Sequence, residues 1–138
     1  MRLLCLLAVL LASTFARADL AVIVNVANPQ KQMSAQQVSD LYLGRTRTFS
    51  HGEYVQLLDH PRDASQRERL FARLANMNLQ QTNSYLSRLL FTGQMLPPQV
   101  LPDDRAMLDG VRRNPGALGY VNAASVDASV RVVLTLKN

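Results

Sequence analysis

Cysteine is almost missing from this chain. Cys5 is the single one, and it sits too early in an N-terminal apolar run to be a lipoprotein acylation site. Residues 19–138 therefore offer no thiol for a disulfide, a nucleophile or a thiolate metal centre. Histidine is scarce too. His51 and His60 lie nine residues apart with no cysteine or paired carboxylate at ligand spacing, so no metal or cofactor is expected. Asp59, His60 and Ser65 are the residue types of a hydrolase triad. Adjacent Asp and His do not by themselves line up, however, and no Gly-x-Ser-x-Gly elbow is present, so no catalytic residue is assigned and the chain is not read as an enzyme. Dense basic runs and an aromatic stacking set are lacking, which excludes nucleic acid as a partner. Long apolar runs are lacking after Leu11, and a membrane span needs about 20 such residues.

Residues 1–18 carry the pattern of a secretory signal peptide, with Arg2 as the charged start, an apolar run over residues 3–11 and Ala16-Arg17-Ala18 as the small-x-small cleavage site. Cleavage after Ala18 predicts a mature domain over residues 19–138 in the periplasm. Those 120 residues of the 138 suffice for one domain of ordinary size. Without Arg2 and Arg17, the 15 basic side chains fall to 13 against 10 acidic ones, and the formal charge falls from +5 to +3. Lys31 and Lys137 are the only lysines. Arginine suits bidentate contact with phosphate or carboxylate, so an oxyanion partner is allowed; a solvated basic surface is the plainer reading.

Local signals then divide the chain. Residues 20–26 (LAVIVNV) form a β-branched run suited to a strand buried on both faces. Ser34 and Gln37 make a capping box for a helix over residues 34–43, ended by Gly44. A turn at His51-Gly52 leads to a strand over residues 54–58 ending at Asp59. Pro61 keeps His60 out of helical geometry. Ser65 and Glu68 repeat the capping-box pattern, and Leu70, Phe71 and Leu74 give the next helix its buried face, ending near residues 76–78. Residues 79–91 have helical spacing closed by Gly93, and a Pro-rich loop ends at Asp103 and Asp104, which cap a helix stopped by Asn114-Pro115-Gly116. Strands are expected over residues 117–121 and 130–136. Tyr42, Phe71, Tyr85, Phe91 and Tyr120 fall at core-facing positions. Strands alternating with helices and no internal linker predict one α/β domain, a mixed sheet with helices on both faces.

The order of Leu41-Tyr42-Leu43-Gly44-Arg45, the strand up to Asp59, a helix carrying Phe71, Phe91-Thr92-Gly93, Pro97-Pro98, and Asn114-Pro115-Gly116 leading to Tyr120 resembles the PstS-like, phosphate-binding branch of the type II periplasmic solute-binding proteins. The match spans residues 38–121. It implies a fold similar to one lobe of such a protein, since a full member has two α/β lobes that close on a cleft. A second departure is that the Ser-Gly-Thr turn with which the phosphate-binding relatives hold their anion is replaced by Ser65-Gln66-Arg67.

The candidate anion site is Arg62, Ser65, Gln66 and Arg67, at the start of a helix where free N–H groups and the dipole attract negative charge. The alternative is that Ser65 and Glu68 only cap the helix while Arg62 and Arg67 pair with nearby acids. Arg45, Thr46 and Arg47 are candidates for a second wall or a docking surface. The resemblance implies non-catalytic binding of phosphate or a similar small oxyanion for an ABC permease. A protein-interaction module of a periplasmic or membrane complex, or a homodimer, is the other reading.

Overall fold

The computed structural model describes residues 19–138; the signal-peptide reading falls on residues outside these. Elements follow the order β1 (Leu20–Asn25), α1 (Ala35–Tyr42), β2 (Gln56–Asp59), α2 (Ser65–Ala75), α3 (Leu79–Phe91), β3 (Gln99–Val100), α4 (Asp104–Arg113), β4 (Ala117–Asn122) and β5 (Val130–Leu136). The five strands make one sheet in the order β3-β2-β4-β1-β5. β2 runs parallel to both β3 and β4, and β1 antiparallel to both β4 and β5. The sheet is mixed, as expected.

Alternation along the central strands feeds two cores. Leu20, Val22 and Val24 of β1, with Leu118 and Tyr120 of β4, pack on Val38, Leu41 and Tyr42 of α1, Leu70 and Phe71 of α2 and Leu86 of α3. Ala21, Ile23, Ala117 and Val121 pack on Met107 and Val111 of α4 on the opposite face. Helices thus cover both faces. Gly119 permits the second packing: a β-carbon there would come within 2.6 Å of Met107 Sδ and 3.2 Å of Val111 Cγ2.

The punctuation works as read from the sequence at most boundaries. Gly44 and Gly93 adopt φ of +74° and +73°, and Asn76 ends α2 in the left-handed region at +53°. Ser34 forms its capping box and Asp103 caps α4 through the Ala106 N–H.

Three expectations need correction. β2 starts at Gln56 rather than residue 54, because Tyr54 is taken by a bridge to Thr48. Gln99 and Val100, expected in a loop, form a short edge strand beside β2. Phe91, expected in the core, is 93% exposed, because the last residue of α3 points away from the face that Leu86 buries. Tyr85 is half-buried, its hydroxyl donating to the Leu43 carbonyl.

Candidate functional site

The loop after β2 sets the geometry of the candidate site. Pro61 closes a turn by accepting from the Ala64 N–H at 2.9 Å, and α2 begins one residue later, at Ser65. The N-cap is therefore Ala64, extended at φ −66° and ψ 141°, and no side chain caps the helix. Ser34, Asn78 and Asp103 cap the other three α-helices. The expected Ser65–Glu68 capping box does not form, because Ser65 lies inside the first turn rather than before it. Its exposed hydroxyl lies only 3.4 Å from Gln66 Oε1. The first N–H groups of α2 thus lack the side-chain acceptor that usually meets them.

The four candidate residues separate into outward and inward groups. Ser65 and Arg62 are exposed, and Arg62 has no ion-pair partner among the described residues. Gln66 reaches to α4, where its Nε2 donates to Asp104 Oδ1 at 3.1 Å. The other Asp104 oxygen accepts from the Asn122 N–H at 3.0 Å and the Ser125 hydroxyl at 2.8 Å. Arg67 turns inward and is only 7% exposed. Its Nε donates to Asp59 Oδ2 at 3.3 Å, its Nη1 to the Arg62 carbonyl at 3.1 Å and to Asn83 Oδ1 at 2.6 Å, and its guanidinium lies 5.4 Å from the centre of the Phe71 ring. Asp63 and Glu68, its sequence neighbours, make no ion pair with either arginine among the described residues.

Beneath Arg67 lies a buried polar network at the carboxyl end of β2. Asp59 accepts from Arg67, from the Tyr120 hydroxyl and, at 2.8 Å, from the His60 N–H. Burial pushes the Asp59 carboxyl above the usual carboxylate range, against the opposing pulls of the Tyr120 hydrogen bond and the Arg67 charge. Burial and then the Asp59 charge push the Tyr120 phenol well up. Tyr42, also raised by burial, donates to the Leu58 carbonyl at 2.8 Å. His60 Nε2 lies 2.7 Å from the Tyr120 carbonyl oxygen and 3.6 Å from Asp104 Oδ1. One ring nitrogen of His60 is thus engaged by a backbone carbonyl, and no hydrogen bond joins His60 to Ser65 among the described residues.

Two hollows flank the Met95–Pro98 loop. One, about 210 Å³, is lined by Asp59, His60, Arg62, Arg67, Asn83 and Ser87, with apolar groups opposite. The other, about 450 Å³, adjoins the start of β2 and contains Thr46, Arg47, Tyr54, Gln56 and Leu96. Arg45, Thr46 and Arg47 therefore do not face Arg62 across one hollow. Arg45 lies 3.4 Å from Asp40, and Arg47 donates to the Gln94 carbonyl at 2.9 Å. Sequence reasoning missed Asn83. Its spacing of four from Leu79 and three from Leu86 puts a polar residue on the apolar side of α3, and that was the available signal.

No family model matches the chain, and no curated protein matches it by sequence. Solved structures do. A protein from Clostridium perfringens, described as a phosphate ABC transporter substrate-binding protein with bound phosphate, aligns with a TM-score of 0.68 at 17% identity, over 84% of this chain and 44% of that one. An ABC-type phosphate transport receptor from Vibrio cholerae aligns at 0.67 and 20%, over 86% and 47%. PstS from Borrelia burgdorferi aligns at 0.64 and 8%, over 87% and 47%. The chain spans less than half the length of these neighbours, and its fold is that of one lobe of a PstS-like periplasmic binding protein.

Proposed function

We propose that the protein is a periplasmic, non-catalytic anion-recognition module of the solute-binding type, with a domain over residues 19–138 behind a cleaved signal peptide. Its ligand is phosphate or a similar small oxyanion, held at the start of α2. The uncapped α2 terminus carries this reading: it is the one α-helix start in the described chain without a side-chain acceptor, and exposed Ser65 and unpaired Arg62 stand beside it. Backbone N–H groups, a hydroxyl and a guanidinium are the donors that a tetrahedral oxyanion needs. Arg67, tied to Asp59, contributes its charge from below, and Gln66 serves by holding α2 against α4. Delivery to an ABC permease is the role that such a module supports.

Calorimetric titration of residues 19–138, freed of phosphate, tests the reading. The expected outcome is saturable heat with phosphate, lost in Ser65→Ala and in Ala64→Asp, which places a competing carboxylate on the open N–H groups. An absence of heat up to millimolar phosphate and sulfate overturns it.

A second reading has its own observation. Tyr54 and Leu96, which line one hollow, are 78% and 77% exposed, an apolar display that marks protein contact more often than solute capture. Docking of a periplasmic or membrane protein on this side, or pairing of two copies, is the role that such a surface supports.

A further inference from the structure

We infer that the 210 Å³ hollow between the loop after β2, α3 and the Met95–Pro98 loop binds a short-chain monocarboxylate, its head on arginine and its tail on the apolar wall. The inference goes beyond phosphate recognition and stands on the hollow rather than on the helix start. The hollow opens at the carboxyl ends of β2 and β3, where Asp59 and Val100 line it, and open α/β sheets take their ligands at that end of the strands.

The polar half presents donors without acceptors. Arg67 Nη2 takes none of the hydrogen bonds that hold the rest of its guanidinium. Asn83 spends its carbonyl oxygen on Arg67, which leaves the amide N–H₂ without a partner among the described residues. Arg62 and the Ser87 hydroxyl line the same hollow, equally unengaged there. The one acid in the wall, Asp59, already accepts from Tyr120, His60 and Arg67. These donors face the hollow and its solvent rather than the core, since Asn28 Nδ2 is the one buried side-chain donor or acceptor without a partner among the described residues, and a ligand that only accepts is the kind that can engage them together. Two guanidiniums against one carboxyl group leave a net positive charge, which suits a monoanion, and a planar carboxylate fits guanidinium and amide donors.

The other half sets the rest of the ligand. Leu86, Leu90, Pro97 and Val100 line it, and Leu90 and Val100 are 38% and 59% exposed. A hollow of this volume falls below the range of about 300–1,000 Å³ that holds drug-sized ligands, so the tail is a short aliphatic one.

Ligand-observed saturation-transfer NMR on residues 19–138, with hexanoate, acetate and inorganic phosphate as probes, tests the inference. Hexanoate is expected to bind at least about tenfold more tightly than acetate, since each buried methylene adds roughly fourfold, with the strongest transfer to its methyl end. Leu90→Glu, on a half-exposed helix position that does not threaten folding, should abolish the signal, and Arg62→Ala should weaken it about fivefold or more. Circular dichroism of both variants establishes that they fold. No saturable hexanoate signal, an unchanged signal in Leu90→Glu, or one indifferent to Arg62→Ala each overturns the inference. Phosphate binding without hexanoate binding leaves the helix-start reading standing while this one falls; the reverse result does the opposite.

Discussion

At its start, β2 stands beside apolar side chains in water, Tyr54 and Leu96, over a groove whose only charged lining residue is Arg47. At its end, three residues on from Gln56, Asp59 and the nearby His60 and Arg67 are 4%, 1% and 7% exposed and satisfy one another. Both ends break the ordinary rule of burial, in opposite directions. A buried polar group is tolerated when paired, and here Asp59 meets three donors, so that end is internally settled. An exposed apolar patch has no internal settlement. The Asp59 network therefore belongs to the stability of the domain, whereas the groups above it that it leaves unengaged, Arg62 and the start of α2, belong with the apolar end to what the domain meets.

Removing Asp59 should have the largest effect. Asp59→Ala leaves the Arg67 charge buried without its partner, and the Tyr120 hydroxyl and His60 N–H without their acceptor. A loss of about 3–5 kcal/mol, read from urea unfolding midpoints, is the expectation. A loss under about 1 kcal/mol would mean that the network contributes little and the contrast between the two ends is false.

A subtler version uses pH. Because burial raises the Asp59 pKa in the folded state, the folded chain holds that proton to higher pH than the unfolded chain does. The resulting stability is fully present below the unfolded carboxylate value, about 3.9, and is lost as pH rises through the folded value. Asp59→Asn cannot titrate there, so its deficit relative to wild type should be greater near pH 4 than near pH 7. A deficit that instead grows toward neutrality would show that the Arg67 charge outweighs desolvation and the folded pKa is depressed.

At the apolar end the smallest effect is expected. Tyr54→Ser and Leu96→Ser should each shift stability by no more than about 0.5 kcal/mol. A larger loss in the isolated domain would place these side chains among the packing of the fold and remove the second functional reading.

Much of the architecture was legible because it is locally coded. Residues 79–91 and 130–136 hold the helix and strand expected there, the helix bounded by the Asn78 cap and Gly93. The α2 start was misread by one residue, and that single residue decides whether the terminus is capped. The pattern Ser65-x-x-Glu68 is the same whether Ser65 precedes the helix or lies within it; the turn from Pro61 to Ala64 made the choice. β3 was illegible for a different reason. Two residues carry no periodicity, and Gln99 and Val100 become a strand only because the parallel edge of β2 is there to pair with them.

The sequence by itself determined the α/β class, the helix stops and the resemblance to one lobe of a binding protein, since these depend on side chains a few residues apart. Tertiary structure alone decided the fates of the arginines. Arg62, Arg67 and Arg47 are chemically identical in the sequence, yet one is left unpaired, one is drawn down onto Asp59 and Asn83, and one is spent on the Gln94 carbonyl at the other end of the strand. A guanidinium's role depends on the acceptors within about 4 Å of it, and those acceptors arrive from residues 8, 16 and 47 positions away.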